Sequence, residues 1–264
     1  MYPTLFHIGP IPIRSYGTMV LIGFLLGLWY AMRVARRNML GRKAGEPGLI
    51  TPEHIYDFAI MALFVAIVGA RLLYVALDWW EFKNHPLDIF MTWTGGLSIH
   101  GSIISGIAFL FYYCRLHKLS PYRFADYCAP SFALGYAIGR IGCFINGCCY
   151  GAPCHLPWAC RFLDSSHPSG FTPPSHPTQL YATAMNLCFF AFLHRYLRRP
   201  QKDGELFYTY LALYSVYRFI DEGFRKGATA DVFILGMTHA QVFCLITLPF
   251  YVYGWLSVRK STIG

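Results

Sequence analysis

Charged residues are scarce in this chain of 264 residues. They make up 13% of it, whereas 55% of the residues are hydrophobic and 18% are aromatic. A soluble domain typically carries about 25% charged residues, so this sequence has too few polar side chains to cover a soluble globule. The shortage argues against an ordinary soluble protein and indicates a membrane protein.

The sequence also lacks the alternating ten-residue pattern of a membrane β-barrel, because its hydrophobic residues occur in long blocks. A helix needs roughly 20 apolar residues to cross a bilayer core. Since every backbone amide in lipid must be bonded internally, each block predicts a helix. We predict an all-α polytopic membrane protein, a single integral membrane domain over 1–264, with about seven transmembrane helices at 16–32, 56–77, 97–114, 124–146, 179–194, 206–220 and 240–258.

Positive charge alternates along the loops between these blocks. Loops 33–54, 115–123 and 195–204, with the C-terminal tail, hold 14 of the 22 Lys and Arg residues. The opposite set holds Arg14, Lys83, Arg161, Arg225 and Lys226. Cytoplasmic loops carry the excess of Lys and Arg, so we predict an outer N-terminus, a cytoplasmic C-terminus and an outer loop at 147–178. The net charge of +9 therefore reflects topology and does not indicate nucleic-acid binding.

The first block is not preceded by a basic segment, and Arg33, Arg36 and Arg37 follow it. A cleaved signal peptide begins with a positively charged region, so we expect this block to be retained as a helix.

Three arginines, Arg71, Arg140 and Arg218, lie inside predicted helices toward their outer ends. Intramembrane charge is costly and usually functional. Polar residues of the other helices gather at the same leaflet, namely Tyr16, His100, Asn146, Gln179, Tyr181, Glu222 and Gln241. A guanidinium matches two phosphate oxygens at once, so the group predicts an anion site suited to a lipid headgroup. The alternative is that Arg71 and Arg218 only extend to headgroups from helix ends.

His100 is the one good proton-transfer group inside a predicted helix on that side. A histidine titrates near neutral pH and can act as a general base. The alternative is a histidine that joins two helices by a hydrogen bond. Gly95, Gly96 and Gly101 surround it and allow substrate or backbone to approach closely.

Nine cysteines are present, and Cys148, Cys149, Cys154 and Cys160 share the loop 147–178. One or two loop disulfides are plausible on an oxidising outer face. No metal site is expected, because Cys149-x4-Cys154-His155 only loosely fits the paired spacing of zinc ligands. The proline-rich loop is expected to be an ordered non-helical cap or a mobile lid.

Several local strings resemble the bacterial prolipoprotein diacylglyceryl transferases. The segment from Gly139 to Gly147, GRIGCFING, is similar to the family signature, and 95–101, GGLSIHG, is similar to its histidine motif. The strings at 176–181, HPTQLY, and at 217–225, Tyr-Arg-Phe with Glu222 and Arg225, resemble two further family segments, as do 11–17 and 69–71. The resemblance runs from about Ile8 to Gln241.

The resemblance implies seven spans and a transferase of the bacterial inner membrane that acts first in lipoprotein maturation. Diacylglyceryl would pass from phosphatidylglycerol to the lipobox cysteine thiol of a prolipoprotein, with release of glycerol phosphate and without a cofactor. The residues then expected to be catalytic are His100, Arg140 and Arg218. Those expected to bind substrate are Tyr16, Arg71, Asn146, Gly147, Gln179, Tyr181, Glu222 and Gln241.

The sequence departs from the family pattern at two positions. Cys148 and Ala182 stand where members often carry carboxylates. Either the site does not need these carboxylates, or Glu222 substitutes for them, or the chain is a divergent relative with altered substrate. Two other functions stay open at this point: a transporter of an anionic lipid or solute, and a thiol redox protein built on Cys148 and Cys149.

Overall fold

A computed structural model describes residues 2–9, 11–38, 48–83, 85–92, 95–164, 167, 169–199, 202–225, 232–234 and 236–260. Every predicted site residue lies within these ranges, whereas Lys226, counted above with the outer charges, lies outside them. The elements are β1 (Thr4–Ile8), β2 (Ile11–Arg14), α1 (Ser15–Asn38), α2 (Pro52–Leu77), α3 (Trp79–Phe82), a 3₁₀ turn (Pro86–Phe90), α4 (Ile99–Leu116), α5 (Pro121–Asn146), α6 (Thr178–Tyr196), α7 (Glu205–Glu222), β3 (Val232–Ile234), β4 (Met237–Thr238) and α8 (His239–Lys260).

Each predicted hydrophobic block falls on one long helix, and six of the seven blocks lie wholly within their helices. The third block was expected to begin at residue 97, but α4 begins at Ile99. Ser98 has extended backbone angles, and its N–H donates to the carbonyl of Ala70 in α2 at 3.0 Å. This bond takes Ser98 out of the helix, so His100 lies in the first turn of α4.

Five of the described helices, α1, α2, α4, α5 and α8, are long and apolar enough to cross a membrane. Helices α6 and α7 are more polar. Gln179, Thr183 and Asn186 are buried along α6, and α7 buries Asp221 and Glu222 near its end. The structure thus shows a mostly helical, multi-pass membrane protein.

The chain divides into two compact units, Ala31–Phe124 and the remainder, Met1–Tyr30 with Ala125–Gly264. In the unit Ala31–Phe124, α2 packs closely on α4. A Cβ at Gly69 would stand 2.1 Å from the Ser105 hydroxyl, and one at Gly101 would stand 2.3 Å from the Gly69 carbonyl oxygen. Only residues without a side chain allow two helices to approach so closely.

The other unit contains most of α1 and α5, the helices α6 to α8 and the two short hairpins. The buried carboxylate of Asp126 in α5 accepts the backbone N–H groups of Gly204 at 2.6 Å and Phe207 at 2.8 Å. A carboxylate there satisfies unpaired amides and complements the positive end of α7. The prediction of one integral membrane domain over the whole chain stays a prediction.

The segment 147–178 is non-helical where it is described, and it is bonded to itself. Cys160 and Ser175 exchange backbone hydrogen bonds of 3.0 and 2.9 Å, and Cys154 donates to Pro174 at 2.8 Å. Phe162, within the segment, is fully buried and stacks on the ring of Tyr150. These contacts favour an ordered cap over a lid. The plausible loop disulfides are not formed, because all nine cysteines are free.

Candidate functional site: an arginine cluster and its surroundings

Arg140 lies one turn after Tyr136 on α5, and this spacing brings the two side chains together. Its Nη2 donates to the Tyr136 hydroxyl at 2.5 Å, and the guanidinium carbon lies 4.9 Å from the ring centre. Tyr214 of α7 also donates to the Tyr136 hydroxyl, at 3.4 Å. Among the described residues, the other N–H groups of Arg140 have no hydrogen-bond partner. They are available to an anion.

Arg218 occupies the last turn of α7 beside two buried carboxylates. It forms an ion pair with Glu222 and lies 3.5 Å from the Asp221 carboxylate, while Arg225 Nε lies 4.0 Å from Glu222. The Asp221 carboxylate lies within electrostatic range of Arg218, Arg225 and Arg140, in decreasing order of effect. We call these five residues the arginine cluster. Three guanidiniums face two carboxylates, so the cluster carries an excess positive charge that favours an anion.

Tyr16 borders the arginine cluster, and Asn146 ends the helix that carries Arg140. The Tyr16 hydroxyl lies within electrostatic range of Arg140 and of the Cys143 thiol. Its side chain is 47% exposed, which leaves it accessible from outside the fold. Asn146 is the last residue of α5, six residues after Arg140, and its amide forms no side-chain hydrogen bond within the described chain. Both polar groups are free to orient a substrate.

Gly147 ends α5 with a backbone turn that an L-residue rarely adopts. Its φ is +82°, its N–H donates to Phe144 at 3.2 Å, and the N–H of Cys148 returns to the Cys143 carbonyl at 3.1 Å. These paired bonds form the Schellman motif that closes a helix with glycine. Glycine is the residue best suited to this positive φ, so the turn alone accounts for glycine at position 147 and no contact with a substrate is needed.

Residues at the start of α6 hold the backbone that follows this turn. Gln179 Nε2 donates to the Cys148 carbonyl at 2.7 Å, and Thr178 Oγ1 donates to the Cys149 carbonyl at 2.9 Å. The buried Oε1 of Gln179 has no partner among the described residues, so one acceptor of this amide remains unsatisfied. The Tyr181 hydroxyl accepts a hydrogen bond from Trp158 Nε1 at 2.8 Å.

Gln241 caps helix α8. Its Oε1 accepts the N–H of Thr238 at 3.0 Å, and its own N–H donates to the Thr238 hydroxyl at 3.3 Å. This reciprocal pair is a capping box, which satisfies two amides at a helix start. The remaining donor, Nε2, reaches the Phe219 carbonyl at 3.4 Å.

Arg71 belongs to the unit Ala31–Phe124 and is 7% exposed. Its guanidinium donates to five backbone carbonyls at 2.5 to 3.3 Å, those of Asp88, Ile89, Met91, Gly95 and Gly96. A guanidinium has five N–H donors, so all of them have partners. A cavity of about 280 Å³ beside it is also lined by the acidic residues Glu81 and Asp88. This surrounding does not suit a phosphate.

His100 belongs to the same unit as Arg71 and is exposed in the first turn of α4. Within the described chain its ring forms no hydrogen bond. The alternative of a histidine that joins two helices therefore finds no support, and the ring is free to exchange a proton with a bound molecule.

Three thiols lie together at the end of α5. The sulfur atoms of Cys143, Cys148 and Cys149 are all within 4.8 Å of one another. The neighbouring Cys143 and Cys148 thiols lower the pKa of Cys149, and the nearby positive charges of Arg140 and Arg225 act in the same direction. We call these three residues the thiol cluster.

Sequence reasoning placed Tyr16, Arg140, Arg218 and Glu222 in one site, and the structure groups them. It missed the roles of Tyr136 and Asp221, although helical spacings of four residues from Arg140 and three from Arg218 were the available signal. Apart from the charge count, Arg225 was named only within the family resemblance, and it lies beyond the end of α7. Sequence reasoning also missed the thiol cluster. The turn predicted by glycine at a helix end would have brought residue 148 back toward residue 143.

Comparison with known proteins identifies the family. Residues 3–257 match the family model described as prolipoprotein diacylglyceryl transferase. Relatives named phosphatidylglycerol–prolipoprotein diacylglyceryl transferase occur in Thermosynechococcus vestitus, with 35% identity over 94% of this chain and 89% of the relative, and in Trichormus variabilis, with 36% identity over 99% and 92%. Another from Streptococcus equi subsp. equi is 34% identical over 93% and 91%. The chain belongs to the prolipoprotein diacylglyceryl transferase family.

Proposed function

We propose that the protein transfers the diacylglyceryl group of phosphatidylglycerol to the lipobox cysteine thiol of prolipoproteins and releases glycerol phosphate. The names of its relatives contain both substrates. The observation that carries the proposal is the arginine cluster, in which Arg140 keeps free donors beside an excess positive charge. An anionic phospholipid headgroup satisfies both features.

The chemistry requires stabilisation of a leaving phosphate. The acceptor sulfur forms a bond to the glycerol carbon that carries the phosphate, and the bond from that carbon to the phosphate oxygen breaks. The electron pair stays on the phosphate oxygen, so a phosphodiester with one negative charge becomes a phosphomonoester with two. Arg140 and Arg218 hold the phosphate and stabilise the charge that develops, which is how fixed donors accelerate such a step.

The thiol must lose its proton, because the thiolate is the nucleophile. We assign this task to His100, whose exposed ring has no competing partner within the described residues. Tyr16 and Asn146 orient glycerol and ester oxygens, and Glu222 fixes Arg218. Three predicted substrate-binding residues have structural roles instead. Arg71 donates to backbone carbonyls, Gln241 caps helix α8, and Gly147 forms the turn that ends α5.

We also propose the topology implied by the sequence, with seven spans, an outer N-terminus and a location in the bacterial inner membrane. Helices α6 and α7 have 19 and 18 residues. At 1.5 Å per residue each is about 27 Å long or slightly more, close to a bilayer core of about 30 Å. Gln179, Thr183 and Asn186 of α6 and Asp221 and Glu222 of α7 are buried within the unit, so these side chains would not face lipid.

The test is transfer by purified protein in vesicles of defined lipid. A synthetic lipobox peptide is incubated with phosphatidylglycerol, and mass spectrometry follows the diacylglyceryl adduct and glycerol phosphate in equal amounts. Vesicles of phosphatidylethanolamine and a peptide with serine in place of the lipobox cysteine are matched controls. We expect product only with phosphatidylglycerol and the thiol peptide. Folded protein that moves phosphatidylglycerol between leaflets without any adduct would contradict the proposal and favour a transporter.

A further inference from the structure

The thiol cluster is a set of three ligand atoms of one kind. Its sulfurs lie within 4.8 Å of one another. Cys143 is buried, Cys148 is half-buried and Cys149 is exposed. None of the three is in a disulfide. The transfer reaction proposed above does not use these thiols, so their convergence requires a separate explanation.

The backbone holds the sulfurs together. The glycine turn returns the chain so that Cys148 N–H meets the Cys143 carbonyl at 3.1 Å. Cys149 has a φ of +62°, a left-handed conformation that costs a non-glycine residue about 1–2 kcal/mol. Hydrogen bonds from Thr178 and Gln179 to the Cys149 and Cys148 carbonyls hold this conformation. The arrangement is therefore preorganised by backbone contacts rather than by a bond between sulfurs.

The separations suit a thiophilic metal ion. Zinc binds thiolates at about 2.3 Å, so two sulfurs of a tetrahedral site stand about 3.8 Å apart. The observed limit of 4.8 Å requires a closure of about 1 Å, which side-chain rotation provides. Cys149 is exposed, so an ion can enter from its side.

The surrounding charge also suits such a site. Binding of one divalent ion to three thiols releases three protons and leaves a centre with one net negative charge. Arg140 lies within electrostatic range of Cys143 and Cys149, and Arg225 lies within range of Cys149. Positive charge that would repel a bare cation stabilises the anionic trithiolate complex.

We propose that Cys143, Cys148 and Cys149 form a binding site for one thiophilic divalent metal ion, with zinc as the expected occupant. The chain provides three sulfur ligands among its described residues, and the fourth position is left to water or to an outside thiol. A tetrahedral zinc with three protein ligands and one open position is a known arrangement. The site goes beyond the transferase function and does not depend on it.

The experiment uses the full chain in detergent, reduced and treated with a chelator under anaerobic conditions. Zinc is added, free metal is removed, and the metal content per protein is measured. X-ray absorption then counts the sulfur atoms around zinc. We expect one zinc per protein with three sulfur neighbours. We also expect the affinity to fall more than about tenfold in Cys148→Ser and in Cys149→Ser, since even the loss of a supporting residue costs 10–100-fold.

Cys188→Ser, in an exposed position of α6, and Cys154→Ser are the matched controls and should bind zinc as the wild type does. Absence of stoichiometric zinc in reduced protein would overturn the proposal. So would equal zinc binding in Cys148→Ser, or a disulfide among the three thiols in protein isolated without reductant. Protein that binds zinc as described but transfers no lipid would contradict only the transferase function.

Discussion

The surroundings of Arg71 and Arg140 differ in one decisive respect. Both arginines lie in apolar helices, and each lies near at least one aromatic ring. Arg71 donates to five backbone carbonyls, whereas Arg140 donates to a single tyrosine hydroxyl among the described residues. Depth and charge alone therefore do not identify a phosphate site. The number of donors that the fold leaves free does.

Replacement of Arg71 tests the structural half of this comparison and should have the largest effect. Arg71→Ala leaves five carbonyls in the segment 88–96 without their donors. A buried acceptor that loses its donor costs about 1–3 kcal/mol, and several lose theirs here. We expect a lower midpoint of thermal unfolding and faster proteolysis within this segment. Arg71→Lys should rescue little, because lysine lacks the planar fork. Unchanged stability in both variants would show that the carbonyl contacts do not hold the segment.

Replacement of Arg140 tests the functional half. Arg140→Ala should lower kcat/KM for transfer by about 10²–10³-fold, the range for loss of one donor to a developing negative charge. Arg140→Lys should retain part of the activity, since it keeps the charge and loses the fork. The exposed Arg161→Ala is the matched control, with wild-type activity expected. Equal activity of Arg140→Ala and Arg161→Ala would remove Arg140 from the site.

His100 shares a unit with Arg71, but its ring has no hydrogen-bond partner among the described residues. His100→Gln should lower kcat by about a hundredfold, the lower end of what a general base contributes. The affinity for phosphatidylglycerol should stay the same, as measured by binding to vesicles. An unchanged kcat would exclude His100 as the base.

Gln241 resembles Arg71 in having its polar atoms engaged by the fold. Gln241→Ala removes hydrogen bonds of the α8 capping box, which should cost about 1 kcal/mol of stability. Thermal unfolding measures that loss, and Thr238→Ala should cause a similar one. The KM for phosphatidylglycerol should not change. An increase in KM at unaltered stability would instead place Gln241 in the substrate site.

Tyr136 provides the smallest test, because it is the single described partner of Arg140. Tyr136→Phe keeps the ring and removes the hydroxyl. The expected loss is about 0.5–1.5 kcal/mol in transition-state stabilisation, a reduction in kcat/KM of about tenfold or less. A loss as large as that of Arg140→Ala would mean that Tyr136 itself contacts the substrate.

Much of the fold was predictable because hydrophobicity and helical spacing are local properties. The blocks at 16–32 and 124–146 lie inside α1 and α5 as predicted. The grouping of Arg140 with Arg218 followed from helix direction. The start of α4 was misplaced by two residues because Ser98 bonds to Ala70, a contact between distant parts of the chain.

The site was less predictable where backbone atoms act as partners. No side-chain pattern shows that the carbonyls from Asp88 to Gly96 point at one guanidinium, so the sequence analysis placed Arg71 among the residues expected to bind substrate. The thiol cluster depends on a turn that places Cys148 near Cys143, whereas cysteine spacing directed attention to Cys154. In both cases the sequence named the residues but not their neighbours.

The central claim is that the arginine cluster, and not Arg71, holds the lipid phosphate. The most direct measurement is an experimental structure of the full chain with bound phosphatidylglycerol. We predict phosphate oxygens at hydrogen-bonding distance, about 2.7–2.9 Å, from Arg140 and Arg218, with the five carbonyl contacts of Arg71 intact. A phosphate bound to Arg71, with those carbonyl contacts broken and Arg140 unoccupied, would contradict the account.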